Sequence, residues 1–216
     1  FSAPYGLWLA ENKLGAAAYL SLIDRDQHLT MPHLYMLEPY NPNKKVIVLV
    51  HGLASSPEAW IRLTNDIMGD NVLREHYQVW QIFYSTNMPI LESRFQINAI
   101  INQGFESIDQ KSASAKDAVL IGHSMGGIIA RLLVSDQNLT SSAQKMLKNR
   151  QFNRFKDDPV FNARLNIQSI PNFDRAIFLS APHRGTDYAD RWFTRAARKV
   201  IKLPGAFLGA LADSVD

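Results

Sequence analysis

Gly122-His123-Ser124-Met125-Gly126-Gly127 places a serine hydroxyl between glycines in the G-x-S-x-G spacing. A serine attacks a carbonyl only when it is lifted clear of its neighbours and the developing oxyanion is met by donors. A tight strand-to-helix bend does both, and Gly122 and Gly126 remove the side chains that would collide there. Gly127 lets the following helix pack closely on the strand. The helix N-terminus offers free N–H groups and the positive end of its dipole. Ser124 is therefore the candidate nucleophile, and the Met125 N–H a candidate oxyanion donor. His51-Gly52-Leu53 follows a second apolar run and is placed to supply the other donor, the Leu53 N–H. Gly52 lets that backbone approach a reacting carbonyl. His51 reads as the residue that holds this loop through ring hydrogen bonds; the alternative is a catalytic base.

These motifs need elements to hold them. Val46–Val50 is a continuous β-branched run, expected as a strand buried on both faces. Leu34–Leu37 is a shorter strand candidate, and Asn41-Pro42-Asn43 a turn. Ser56-Pro57-Glu58 predicts an N-cap with proline at the first helical position, opening a helix through Trp60, Leu63 and Ile67 as far as Leu73. Tyr77–Tyr84 alternates and is rich in aromatics, so it predicts a strand. Ile90–Ile108 has helical spacing. Ala118–Gly122 predicts a short buried strand, and Met125–Ser135 a helix with Ile128, Ile129, Leu132 and Leu133 inward. Arg175–Leu179 predicts another buried strand. Four alternations of strand and helix favour an α/β fold, a mostly parallel sheet with helices on both faces. Residues 137–173 break the rhythm, with helices expected over Ser141–Arg150 and Val160–Leu165; they read as a cap or lid insertion or as a surface excursion. Residues 1–33, amphipathic over Tyr5–Ile23, form an N-terminal helical segment, 34–185 the core, and 186–216 a C-terminal helical segment.

With both motifs placed after strands, the chain resembles an α/β-hydrolase of the bacterial lipase and esterase kind. Val48–Leu53 resembles that family's strand and oxyanion loop, and Ile121–Gly127 its nucleophile elbow. Phe178–Thr186 (FLSAPHRGT) resembles the strand-end motif TPHRGS, with Ser180-Ala181 departing from it. The resemblance spans roughly residues 34–200. It implies hydrolysis of carboxylic esters through an acyl-enzyme on Ser124, with no cofactor. It also implies that His183 pins a loop beside the site rather than acting as base. The family's order is nucleophile, acid, histidine, and Asp187 and Asp190 follow His183. The six histidines are 28, 33, 51, 76, 123 and 183, none in the late position. The acid and base, and the last strands of the sheet, are thus expected beyond residue 216. An acyltransferase, a phospholipase-type deacylase and a non-catalytic interaction module on the same fold stay open. Family habit suggests a bacterial envelope or secreted location; a cytoplasmic one stays open too.

Composition narrows the partners. Among 216 residues, 46% are hydrophobic and 20% charged, the balance of a globular domain. With no cysteine there is no disulfide, thiol nucleophile or thiolate metal site. No histidine pair has metal-ligand spacing, so no metal is expected. Residues 1–140 carry 10 Lys/Arg against 13 Asp/Glu, and residues 141–202 carry 13 against 5. That basic stretch suits an anionic membrane surface or, more simply, a solvated face. A small-molecule ester or lipid is the expected substrate. Nothing in the pattern suits nucleic acid.

Overall fold

The computed structural model describes residues 7, 11, 32–86, 88–146, 152–153 and 155–183. The helices expected over Tyr5–Ile23 and 186–212, and the end of Ser141–Arg150, lie outside the described residues, apart from Leu7 and Glu11, which are helical.

A five-stranded sheet organises the chain. Its strands are β1 (His33–Met36), β2 (Lys45–Val50), β3 (Tyr77–Phe83), β4 (Ala118–His123) and, after a separate two-stranded antiparallel sheet of β5 (Gln137–Asn138) and β6 (Asn166–Ile167), β7 (Phe173–Leu179). The order is β1-β3-β2-β4-β7. β1 runs antiparallel to β3, and every other neighbour in this sheet is parallel. Parallel neighbours need crossovers, and helices supply them. These are α1 (Ile61–Gly69), α2 (Asn71–His76), α3 (Ile90–Glu106) and α4 (Met125–Leu133); α5 (Thr140–Met146) and α6 (Pro159–Leu165) lie between α4 and β7.

The run of β2 is explained by its two faces. Val46, Val48 and Val50 enter a core with Ile97, Ile101 and Phe105 of α3 and Ile129 and Leu133 of α4. Ile47 and Leu49 point the other way, onto Trp60 and onto Ile67 and Met68 of α1. Both faces of the strand are dry, so no polar alternation survives. This is the expected α/β architecture, with helices on both sides.

Several expectations are adjusted. The helix expected from Ser56 to Leu73 is three pieces. Ser56 caps as expected, its Oγ accepting from the Glu58 N–H, but Pro57–Trp60 is a 3₁₀ turn before α1. Asp70, extended at ψ 124, then breaks the helix and caps α2 by accepting from the Leu73 N–H. Cap chemistry at Asp70 outweighs the apolar spacing that ran through it. In α4 the inward residues are Met125, Ile129, Ala130 and Leu133, while Ile128 and Leu132 are only partly covered. β7 differs from the expected buried strand: Phe173, Ala176 and Phe178 face the core, but Ile177 and Leu179 are each 39% exposed among the described residues.

Within residues 137–173, α6 is tied to α3 by charge. The Arg164 guanidinium on α6 makes a two-pronged pair with Glu92 on α3, Nε to Oε2 at 2.5 Å and Nη2 to Oε1 at 3.3 Å. The same guanidinium lies 4.3 Å over the Phe95 ring. Glu92 is buried, so removing its partner strands a carboxylate. Arg164→Met is expected to cost about 3 kcal/mol in urea unfolding. A cost below about 1 kcal/mol would mean that the pair is only a surface ornament.

Candidate active site

Ser124 sits between β4 and α4 with φ 53 and ψ −121, a region L-residues rarely adopt. Three hydrogen bonds hold it there. Its N–H donates to the Leu179 carbonyl at the end of β7 at 2.9 Å, and its carbonyl accepts from Gly127 N–H at 2.9 Å and Ile128 N–H at 3.4 Å. Ser124 is only partly buried, and among the described residues nothing hydrogen-bonds its hydroxyl.

The glycines around it are required by close approach. A Cβ at Gly126 would land on the carbonyl oxygens of Val50 and His51, and one at Gly122 on the Gly126 carbonyl. A Cβ at Gly127 would meet Ala181 Cβ at 2.5 Å, so the Ser180-Ala181 turn, with Ser180 at φ 49, closes on the start of α4. A Cβ at Gly52 would meet Ser124 Cβ at 3.0 Å. The loop after β2 therefore passes against the serine itself, and the two motifs, far apart in sequence, interlock.

The loop after β2 is fixed largely through His51, which is fully buried. Its Nδ1 lies 3.0 Å from its neighbour's carbonyl, Gly52 O. A carbonyl only accepts, so Nδ1 carries the hydrogen. In a trans peptide the N–H points away from the C=O. Holding the Gly52 carbonyl thus sets the direction of the Leu53 N–H. Neither the Leu53 nor the Met125 N–H is engaged by a hydrogen bond among the described residues. Met125, as first residue of α4, has no carbonyl a turn earlier to satisfy it.

Burial pushes the His51 pKa down to about 4, against an ordinary 6.5, although the Gly52 carbonyl favours the charged form. This ring is neutral in the fold, in keeping with a holding role. A consequence follows for stability. As pH falls from 6.5 towards 4, the unfolded chain takes the proton before the folded one, so the fold weakens by up to about 1.4 kcal/mol per pH unit. The contribution is complete above pH 6.5. His51→Gln is expected to flatten this part of the stability–pH curve in chemical unfolding between pH 7 and 4; an unchanged slope would remove the neutral-ring account.

The other two histidines near Ser124 are exposed. His123 meets the Trp60 ring edge-on at 6.3 Å. His183 stands edge-on to Phe178 at 5.1 Å, and its backbone N–H donates to the Ala181 carbonyl. The sequence motifs thus come together at one end of the sheet. Two residues that sequence reading passed over join them. The Tyr84 hydroxyl donates to the His51 carbonyl at 2.8 Å, and Thr86 Oγ1 accepts from the Ala54 N–H at 3.1 Å. A detectable signal existed: both follow β3, the strand beside β2, at matching distance from its end.

The mostly parallel sheet, its helical faces and the tight strand-to-helix turn at the end of a central strand define an α/β-hydrolase fold. More particularly, residues 41–148, half of the chain, match the PGAP1-like alpha/beta domain, and the chain belongs to that family. No curated protein matches the chain significantly. Solved structures similar to it include the mature lipase BlEst2 of Bacillus licheniformis, with 19% identity, a TM-score of 0.46, and 85% of this chain covered against 65% of that one. Esterase B of Lactobacillus rhamnosis is 14% identical with a TM-score of 0.47, covering 94% of this chain and 65% of its own. Esterase Est2 of Thermogutta terrifontis is 14% identical with a TM-score of 0.43, covering 74% and 55%. The chain thus spans just under two thirds of the first two.

Proposed function

We propose that the protein is a serine hydrolase of carboxylic esters, with Ser124 as nucleophile and the N–H groups of Leu53 and Met125 as oxyanion donors. The observation that carries this reading is the approach of Gly52 to within contact of Ser124, whose backbone is held at φ 53. A non-glycine residue in that conformation is destabilising, typically by about 1–3 kcal/mol, and such strain collects where a side chain must be presented.

In this reading Ser124 Oγ attacks the ester carbonyl and the carbonyl oxygen takes the negative charge between the two amides. Each donor of this kind is typically worth about 3 kcal/mol in the transition state. A general base takes the serine proton and returns it to the leaving alcohol; water then releases the acid from the acyl-enzyme. His51 is unsuited to that role, being buried with Nδ1 committed to the Gly52 carbonyl. The substrate class is a small-molecule or lipid ester, and the basic balance of residues 141–202 would favour approach to an anionic lipid surface.

The test is covalent. Treated with a fluorophosphonate probe, the intact protein is expected to carry the adduct on the peptide containing Ser124, and to release p-nitrophenol from short-chain p-nitrophenyl esters. Folded protein that neither takes the probe at Ser124 nor turns over any ester would overturn the proposal. Transfer of the acyl group to an added alcohol in preference to water would recast it as an acyltransferase.

A further inference from the structure

The loop after β2 has two anchors on the segment that leaves β3, and they are spaced as the sheet is. In the parallel pairing Val50 faces Ile82. Carried past the strand ends, that register brings Gly52 level with Tyr84 and Ala54 level with Thr86. The backbone ladder stops there, and side chains take over its hydrogen bonds. The Tyr84 hydroxyl reaches the His51 carbonyl at 2.8 Å, and its ring stacks on the His51 ring at 4.5 Å between centroids. The Thr86 hydroxyl accepts from the N–H of Ala54, which sits at φ 55. Tyr84 and Thr86 are 2% and 4% exposed, so neither bond competes much with water.

The geometry points to Tyr84 and Thr86 as positioning residues that clamp the 51–54 loop from both ends and so aim the Leu53 N–H at the reacting oxygen. The clamp has a mechanical reason. Leu53 lies between two residues whose neighbours in space are fixed: His51, whose carbonyl also abuts Gly126, and Ala54, held in a left-handed conformation that alanine does not favour. Freed at Ala54, the loop can relax towards ordinary φ values, and the Leu53 amide turns with it. A donor displaced by about 1 Å loses much of its effect in the transition state while leaving ground-state binding alone.

This inference rests on the nucleophile reading above, and the experiment separates the two. The intact protein and its Thr86→Val, Thr86→Ser and Tyr84→Phe variants are compared for kcat and KM on p-nitrophenyl butyrate and for affinity towards an alkyl boronic acid, which mimics the tetrahedral state. Thr86→Val and Tyr84→Phe are expected to lower kcat about tenfold to a hundredfold, with KM within twofold. Boronate affinity should fall in step with kcat, and Thr86→Ser should restore both. If Thr86→Val loses its melting transition, Thr86→Ala takes its place, since it only removes atoms. Wild-type kcat in folded Val and Phe variants, or a change confined to KM, overturns the clamp. Wild-type protein without turnover or labelling at Ser124 instead overturns the reading beneath it.

Discussion

Ser124→Ala is expected to lower ester turnover by about five to six orders of magnitude and to abolish fluorophosphonate labelling. Stability should change little, because the serine hydroxyl has no partner among the described residues. Alanine must still adopt φ 53, which costs it no more than it costs serine. Rate and stability therefore separate in this variant. Turnover within tenfold of wild type would place the nucleophile elsewhere. On the proposed function, some residual rate over the uncatalysed reaction is expected, since the two amides would still bind the carbonyl oxygen when water attacks directly.

Gly126→Ala is expected to have the opposite profile: a stability loss of at least about 3 kcal/mol in urea unfolding, with activity falling because the elbow moves. The added methyl has no flexible neighbour to push aside; it meets the carbonyl oxygens of Val50 and His51. Those oxygens belong to the central strand and to the carbonyl that Tyr84 holds. Either α4 slides outward or β2 bends, and both uncouple Ser124 from the loop beside it. A variant as stable and as active as wild type would mean that α4 and β2 are not in contact as described.

What could be read from the sequence follows from how local each cause is. β2 was legible because burial on both faces leaves an unbroken β-branched run, and the tight strand-to-helix turn at Ser124 because close approach there needs glycines at fixed offsets. The break at Asp70 was missed because the apolar spacing continues through it, and one carboxylate capping the Leu73 N–H decides the matter. Tyr84 and Thr86 were missed for a different reason. Their hydrogen bonds to the 51–54 loop depend on the β2–β3 register, and register is a property of two strands together. Glu92 and Arg164 are likewise ordinary surface residues of two helices until α6 packs on α3 and buries the carboxylate.

The most direct test is a crystal structure of the intact protein after reaction with a fluorophosphonate. Phosphorus should be bonded to Ser124 Oγ, with the phosphonyl oxygen about 3 Å from the backbone nitrogens of both Leu53 and Met125. An adduct whose oxygen turns to solvent, touching neither nitrogen, would contradict the account even though the serine had reacted.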